Sequence, residues 1–317
     1  MDLSIIIPVY NEEENLPPLL DTLQQTIEPL HLSYEIIFVD DGSKDQSLKV
    51  LREQSKERFQ NIKIIELSRN FGQTTAIAAG IDHARGDIII LLDADMQNDP
   101  ADIHLLLSKL DEGYDVVSGW RKDRKDKYLS RILPSVIANK LISAVTGVKL
   151  HDYGCTLKAY RREYLKTFHL YGEMHRFIPI YAEASGARVA EVVVHHHPRK
   201  YGKSKYGIDR TIKVILDLFT VKFLMSYSAK PMRLFGGVGL VLMVLSFAVM
   251  LFLTIRRIFW SISILGSPFF QASITVFILG FQSLLMGLIA ELLMRTYYES
   301  QSKPTYSIRS ISEESRK

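Results

Sequence analysis

The 317-residue sequence predicts an α/β fold, a doubly wound and mostly parallel sheet, followed by a C-terminal two-helix transmembrane hairpin. Two observations predict it. Through roughly the first 120 residues, short apolar runs alternate with helix-patterned stretches, which is the pattern of a parallel sheet covered on both faces. Further on, residues 235–255 (FGGVGLVLMVLSFAVMLFLTI) and 269–290 (FFQASITVFILGFQSLLMGLIA) contain no charged residue. At about 1.5 Å rise per residue, each crosses the roughly 30 Å hydrocarbon core of a bilayer.

The elements follow in order. Leu3–Val9 (LSIIIPV) is a first strand, with a helix over Glu13–Ile27. Tyr34–Val39 (YEIIFV) is a second strand, followed by DDGSKDQS and a helix over about 46–58. Ile62–Leu67 is a third strand with a helix from Thr74 to Ala84, and Asp87–Leu92 a fourth with a helix from Pro100 to Leu110. Asp115–Gly119 is the fifth. Residues 1–205 are thus expected to form the α/β domain and 206–233 juxtamembrane amphipathic helices, with Ile208, Ile212, Ile215 and Phe219 at helical spacing. The hairpin occupies 234–295, and 296–317 reads as a loosely ordered polar tail.

Residues 199–233 hold nine Lys or Arg against two Asp, and Arg295 follows the second span, whereas the link carries only Arg256 and Arg257. The positive-inside bias therefore places the N-terminal domain and the tail on the cytoplasmic side of the cytoplasmic membrane. The single cysteine, Cys155, rules out an internal disulfide, and Met1-Asp2 runs directly into the first strand without a signal-peptide pattern.

The strand ends carry the chemistry. YNEEEN, DDGSKD, SRNFG, DADMQND and GWRKDR follow the five strands in turn, and ligands of such sheets bind at the carboxyl ends of the strands. No GxGxxG follows the first strand and no GxxxxGK[ST] occurs, which takes the main support from the dinucleotide and P-loop readings. Asp93 and Asp95 flank Ala94 at the end of a buried strand; residues i and i+2 of an extended chain point the same way, and Gln97 adds a third hard oxygen. Such a set suits Mg²⁺ or Mn²⁺, which accept one or two protein carboxylates and fill their other positions with phosphate oxygens and water. The alternative for these residues is a turn with an Asp cap before Pro100. Asp40 and Asp41 are divided between ligand and turn, and Pro8, Tyr10 and Glu12 are placed to bracket a base and ribose, with Tyr10 stacking. His195, His196 and His197 suggest zinc, but adjacent strand residues face opposite sides and cannot all reach one tetrahedral centre, so a strand end is the preferred reading.

The set IIIPVYNEEENL, FVDDGSKDQS, SRNFG and DADMQNDP, in this order and spacing, resembles the GT-A fold of the family-2 glycosyltransferases. HDYGCTLKAYRRE, MHRFIP and PRKYGKSKYG followed by two spans resemble its polyisoprenyl-phosphate branch, the dolichyl-phosphate mannose synthases and bacterial undecaprenyl-phosphate glycosyltransferases. The resemblance extends to about residue 295. It implies that Pro8, Tyr10, Glu12, Asp40 and Asp41 hold the nucleoside, that Asp93, Asp95 and Gln97 surround metal and diphosphate, and that Arg121 faces the phosphates. It further implies that Arg199, Ser204 and Lys205 grip the lipid phosphate or close over the diphosphate, with Asp152 and Lys158 on the acceptor side; His175 and Arg176 in GEMHRFIP are read as acceptor contacts, with local helix packing the alternative. Where several relatives have Gly or Asp, this chain has Thr156, so no role is carried to that position.

The expected activity is inverting transfer of one sugar from a nucleotide-diphosphate sugar, a UDP-sugar being favoured, to a polyprenyl phosphate, with Mg²⁺ or Mn²⁺ as cofactor. Asp95, Arg121, Arg199 and Lys205 are the expected catalytic groups. The expected partners are the two substrates and the membrane, not nucleic acid, and the resemblance is compatible with a homo-oligomer. An acceptor phosphate is already an anion at neutral pH and needs cationic positioning rather than a strong base. A processive polysaccharide synthase is disfavoured by the missing QxxRW and by having only two spans. A non-catalytic membrane scaffold is disfavoured by the intact Asp93, Asp95, Arg121, Arg199 and Lys205.

Overall fold

The computed structural model describes residues 1–59, 61–122, 133–165, 174–198, 231–260, 267–300 and 308–315. The chain forms two compact units: Met1–Val221 with Pro304–Lys317, and Lys222–Lys303.

The first unit is built on β1 (Leu3–Val9), β2 (Tyr34–Asp40), β3 (Asn61–Leu67), β4 (Ile88–Leu91), β5 (Val116–Trp120), β6 (Lys158–Arg161), β7 (Val189–Val193) and β8 (Ile308–Ser315). They form one sheet in the order β7-β5-β6-β4-β1-β2-β3-β8. β1 pairs in parallel with β2 on one side and β4 on the other. Both faces of β1 are buried, with Leu3, Ile5, Ile6 and Ile7 all at 0% exposure, which is why the strand reads as a continuous apolar run rather than an alternating one. The chain moves outward from β1 through β2 to β3, then crosses back to β4. In open sheets of this kind ligands bind at such a reversal, here outside the carboxyl ends of β1 and β4.

Helices α1 (Leu16–Ile27), α2 (Ser47–Arg58), α3 (Gln73–His83) and α4 (Ile103–Asp111) cover the sheet. α1 buries Leu16, Leu19, Leu20, Leu23 and Ile27, a single stripe at helical spacing. It begins at Leu16 rather than Glu13 because the preceding residues bond to the loop after β2. The Ser43 and Ser47 hydroxyls accept from the amides of Asn11 and Glu12, and the Asn11 side-chain oxygen accepts from the Lys44 amide. Later come α5 (Leu133–Thr146), the single turn α6 (Arg162–Leu165) and α7 (Ile178–Ala184).

Three strands depart from the sequence reading. β6 runs antiparallel between β4 and β5, and β7 lies parallel to β5. The tail expected to be loose contains β8, which pairs antiparallel along the outer edge of β3. Arg309 donates to Glu66 at 3.0 Å and to the Ser68 carbonyl at 3.2 Å, and the Ser310 hydroxyl donates to Glu66 at 3.1 Å.

The second unit contains α8 (Pro231–Trp260) and α9 (Pro268–Ser300). The stretches Leu234–Phe259 and Pro268–Ala290 are long and apolar enough to cross a membrane. They bracket the runs expected at 235–255 and 269–290. Leu240, Phe247, Phe252, Phe269 and Leu293 are exposed, as a lipid-facing surface requires. Small residues let the two helices approach closely: a Cβ on Gly239 would lie 2.5 Å from the Gly280 carbonyl oxygen. The Ser283 hydroxyl donates to the Phe235 carbonyl at 2.9 Å, and that of Ser246 to the Ser273 carbonyl. Most of the juxtamembrane segment expected at 206–233 lies outside the described residues.

Candidate active site

Four strand ends bring the predicted residues together. At β2, Asp41 accepts from the amides of Phe71 (2.7 Å) and Gly72 (2.9 Å). Both of its oxygens thus hold the β3–α3 loop. Among the described residues, the Asp40 carboxylate accepts from the Ser43 amide, at 3.3–3.4 Å, and from the Ser43 hydroxyl. Burial raises the pKa of both aspartates. Of the two, Asp40 retains more capacity to accept hydrogen bonds. Pro8 sits in β1 beside Val39, Tyr10 follows β1 half-buried, and Glu12 accepts from the Asn15 side chain at 2.6 Å.

Gly42 joins two of these loops. Its φ is +69°, and a Cβ would fall 2.6 Å from the Arg69 carbonyl carbon and 2.7 Å from the Asn70 nitrogen, both backbone atoms. Gly42→Ala is therefore expected to destabilise the protein by about 2–4 kcal/mol, combining the left-handed penalty with overpacking. Urea unfolding in detergent measures this; a loss within experimental error would show that the loops part freely.

At β4 the strand ends at Leu91, and the extended geometry expected through Asp95 gives way to a turn in which Met96 adopts φ +58°. The carboxylates nevertheless remain neighbours. Burial, and then the charge of Asp95, raise the Asp93 carboxyl to a pKa of about 7, against the opposing pull of the Thr156 hydroxyl, Arg121 and Lys158. Asp95 is 9% exposed and accepts from the Gln97 amide at 3.1 Å. Gln73 at the start of α3 donates to Asp93 at 2.7 Å.

At β5, Arg121 is forked onto Asp152: Nε to Oδ2 at 2.7 Å and Nη2 to Oδ1 at 3.0 Å. Burial disfavours the Arg121 charge, but Asp152 outweighs it and the guanidinium pKa rises. Glu191 on β7 accepts from the amides of His151 (2.8 Å) and Asp152 (3.0 Å), fixing the loop that presents Asp152. Lys158 is 2% exposed and donates to the carbonyls of Tyr153, at 3.1 Å, and Cys155. Its ammonium braces the 153–155 loop from beneath, and burial lowers its pKa to about 8. His175 is 5% exposed, its Nδ1 lies 2.7 Å from the Thr74 hydroxyl, and burial holds its pKa well below 6.5. Arg176, next to it, is partly buried. Arg199, Ser204 and Lys205 lie outside the described residues.

Asp93 and Asp95 fit a divalent metal. Burial, with the charge of Asp95 added to it, raises the pKa of Asp93, and that is the electrostatic deficit a bound cation removes. Among the described residues no three His, Cys, Asp or Glu form a metal cluster, so a cation here would rely on two carboxylates and on oxygens from a substrate.

Sequence reasoning missed Gln73, Thr74 and Glu191, and left Thr156 without a role. Gln73 and Thr74 follow the SRNFG cluster at the first turn of a helix, and that placement was their available signal. Glu191 sits inside a strand that was not recognised.

Residues 4–168 match the family model described as Glycosyl transferase family 2. A dodecaprenyl-phosphate galacturonate synthase of Rhizobium johnstonii is 42% identical over 98% of this chain and 93% of its own. An undecaprenyl-phosphate 4-deoxy-4-formamido-L-arabinose transferase of Enterobacter is 38% identical over 98% of this chain and 93% of its own. Among solved structures, a Mycobacterium tuberculosis glucosyl-3-phosphoglycerate synthase with Mn²⁺ and uridine-diphosphate-glucose superposes with a TM-score of 0.53 at 16% identity. The match covers 70% of this chain and 78% of that one. At that identity the likeness concerns the fold, which is GT-A.

Proposed function

Because the chain belongs to glycosyl transferase family 2, we propose that it transfers one sugar from a UDP-sugar to a polyprenyl phosphate at the cytoplasmic face of the membrane, with inversion at the anomeric carbon. The observation that carries this reading is the grouping of Asp93, Asp95 and the Arg121–Asp152 pair at the carboxyl ends of β4 and β5, in a chain that also holds two membrane-length apolar helices. The long-chain relatives act on polyprenyl phosphates by name, which supports the acceptor class.

In this reading Asp40 receives the nucleoside, and Asp93, Asp95 and Gln97 hold Mg²⁺ or Mn²⁺. When bound, the metal neutralises the diphosphate and the charge that grows on it as the sugar departs. Arg121 keeps its charge next to that group because Asp152 orients it, and so offers a second stabiliser of the leaving diphosphate. His175, neutral and tied to Thr74, acts as a shape and hydrogen-bonding element rather than as a cation. The lipid phosphate attacks directly, so one displacement inverts the centre. Arg199, Ser204 and Lys205 are the proposed partners of that phosphate.

Purified full-length protein, undecaprenyl phosphate and Mn²⁺ or Mg²⁺ with labelled UDP-sugars test the reading. The donor panel includes UDP-galacturonate and UDP-4-deoxy-4-formamido-L-arabinose. A chloroform-soluble labelled product that disappears with excess chelator or on Asp95→Ala is expected. Absence of product with every donor would overturn the transfer reaction, and full activity in chelator would overturn the metal.

A further inference from the structure

The three consecutive histidines after β7 are not absorbed by the reaction, and their contacts are specific. The His195 amide donates to Asp102 Oδ2 at 2.5 Å, and His195 Nδ1 donates to Asp102 Oδ1 at 2.8 Å. His197 Nε2 donates to Asp99 Oδ2 at 2.9 Å, and the His197 amide donates to the Gln97 carbonyl at 2.9 Å. Between them, His196 forms an antiparallel bridge with Asn98, and Asn98 is 2% exposed. Residues 195 and 197 therefore share one side of an extended segment, and together they bind down the chain from Gln97 to Asp102.

That chain leaves the Asp93–Asp95 turn directly. Met96, between Asp95 and Gln97, is held at φ +58°, a conformation that L side chains rarely adopt and that persists only where neighbours over-determine it. Upstream the turn is fixed by β4; downstream the first fixed point is the Gln97 carbonyl under the His197 amide, followed by the two Asp–His pairs. The ring contacts to Asp99 and Asp102 add to the main-chain bonds at Gln97 and Asp102, the Asn98–His196 bridge and the Gln97 amide on Asp95 in opposing relaxation of Met96, and loosening this side would shift Asp95 and Gln97 relative to Asp93.

We propose that His195 and His197 are positioning residues that clamp the Gln97–Asp102 segment and so hold Asp95 and Gln97 in their cation-binding arrangement. The role rests on the metal reading above. Groups one step removed from a metal's ligands typically change its affinity 10- to 100-fold when lost, and the clamp, acting through the backbone, belongs at about the 10-fold end.

The two histidines use different nitrogens, which supplies the test. An asparagine amide matches His Nδ1 and a glutamine amide matches His Nε2. Mn²⁺ affinity is measured by electron paramagnetic resonance on the full chain in detergent, with and without UDP, alongside thermal unfolding. His195→Ala with His197→Ala is expected to weaken Mn²⁺ about 10-fold. His195→Asn with His197→Gln is expected to restore most of it, and the swapped pair, His195→Gln with His197→Asn, to behave like alanine despite equal polarity. The amide variants share composition, so a difference between them at equal melting temperature reports donor placement rather than general stability. Wild-type affinity in the alanine pair, or equal affinity in the matched and swapped pairs, would overturn the clamp while Asp95→Ala still loses Mn²⁺. Unchanged Mn²⁺ binding in Asp95→Ala would instead overturn the metal reading, and the clamp with it.

Discussion

Arg121→Met is expected to abolish sugar transfer and to destabilise the protein by about 3–5 kcal/mol. The second figure follows from what is left behind: Asp152 is 2% exposed, and losing the guanidinium strands its carboxylate in a low-dielectric site. Stability loss alone would not show a role in the reaction, so the informative variant removes both partners. Arg121→Met with Asp152→Leu eliminates the stranded charge and is expected to recover much of the stability. Transfer should remain at least about 100-fold down, the usual cost of losing one stabiliser of developing negative charge. Urea unfolding and product formation in the same preparations separate the two. If the double variant regains transfer with stability, Arg121 is a structural residue only.

Asp93→Asn is expected to do the opposite to stability. The Asp93 carboxyl titrates near 7 in the folded, metal-free chain, against 3.8 ordinarily, because burial and Asp95 oppose its charge. A raised carboxyl pKa contributes stability that is fully present below about pH 4 and is lost as pH climbs through about 7. At pH 8 the ionised Asp93 is therefore a burden that asparagine lacks. In chelator at pH 8, Asp93→Asn should be more stable than the parent by on the order of 1–3 kcal/mol, the full shift being discounted because Asp93 is partly exposed. The gap should close at about pH 4, and saturating Mn²⁺ should reverse the order while transfer by the variant is absent. Thermal unfolding at the two pH values checks this. A variant less stable than the parent in chelator at pH 8 would show that Asp93 is stabilised by its surroundings without a metal.

How much of this was legible varies by element. β1 to β4 were readable because strands buried on both faces are continuous apolar runs, and the Asp93–Asp95 group was readable because two carboxylates ending such a run have few inexpensive destinations. β6 was missed because KAYR spans four residues and begins with a lysine, whose burial depends on carbonyls of a loop that no local pattern announces. β8 was missed for a geometric reason: Ile308 and Ile311 break period-two alternation, and the pairing with β3 shifts register between Glu66 and Leu67. Alternation did sort the histidines correctly, placing 195 and 197 together and 196 opposite. It did not reveal Asp99 and Asp102 as their partners, since those lie more than 90 residues earlier. The Arg121–Asp152 fork was invisible as a pair because 31 residues separate its members in the chain, although both residues were singled out.

A soluble form of the catalytic unit cut before Pro231 would carry a raw sheet edge. Such a cut discards Ile308–Ser315 along with the hairpin and strips β3, NIKIIEL, of the partner that occupies its outer hydrogen-bonding groups. Exposed edges of that composition recruit other chains, so this form is expected to self-associate in a concentration-dependent way for reasons unrelated to any native oligomer. Deleting only the hairpin and keeping the tail avoids the problem, because the catalytic unit is sequence-discontinuous: its last strand follows the two long apolar helices in the chain and completes the sheet only after they have been translated.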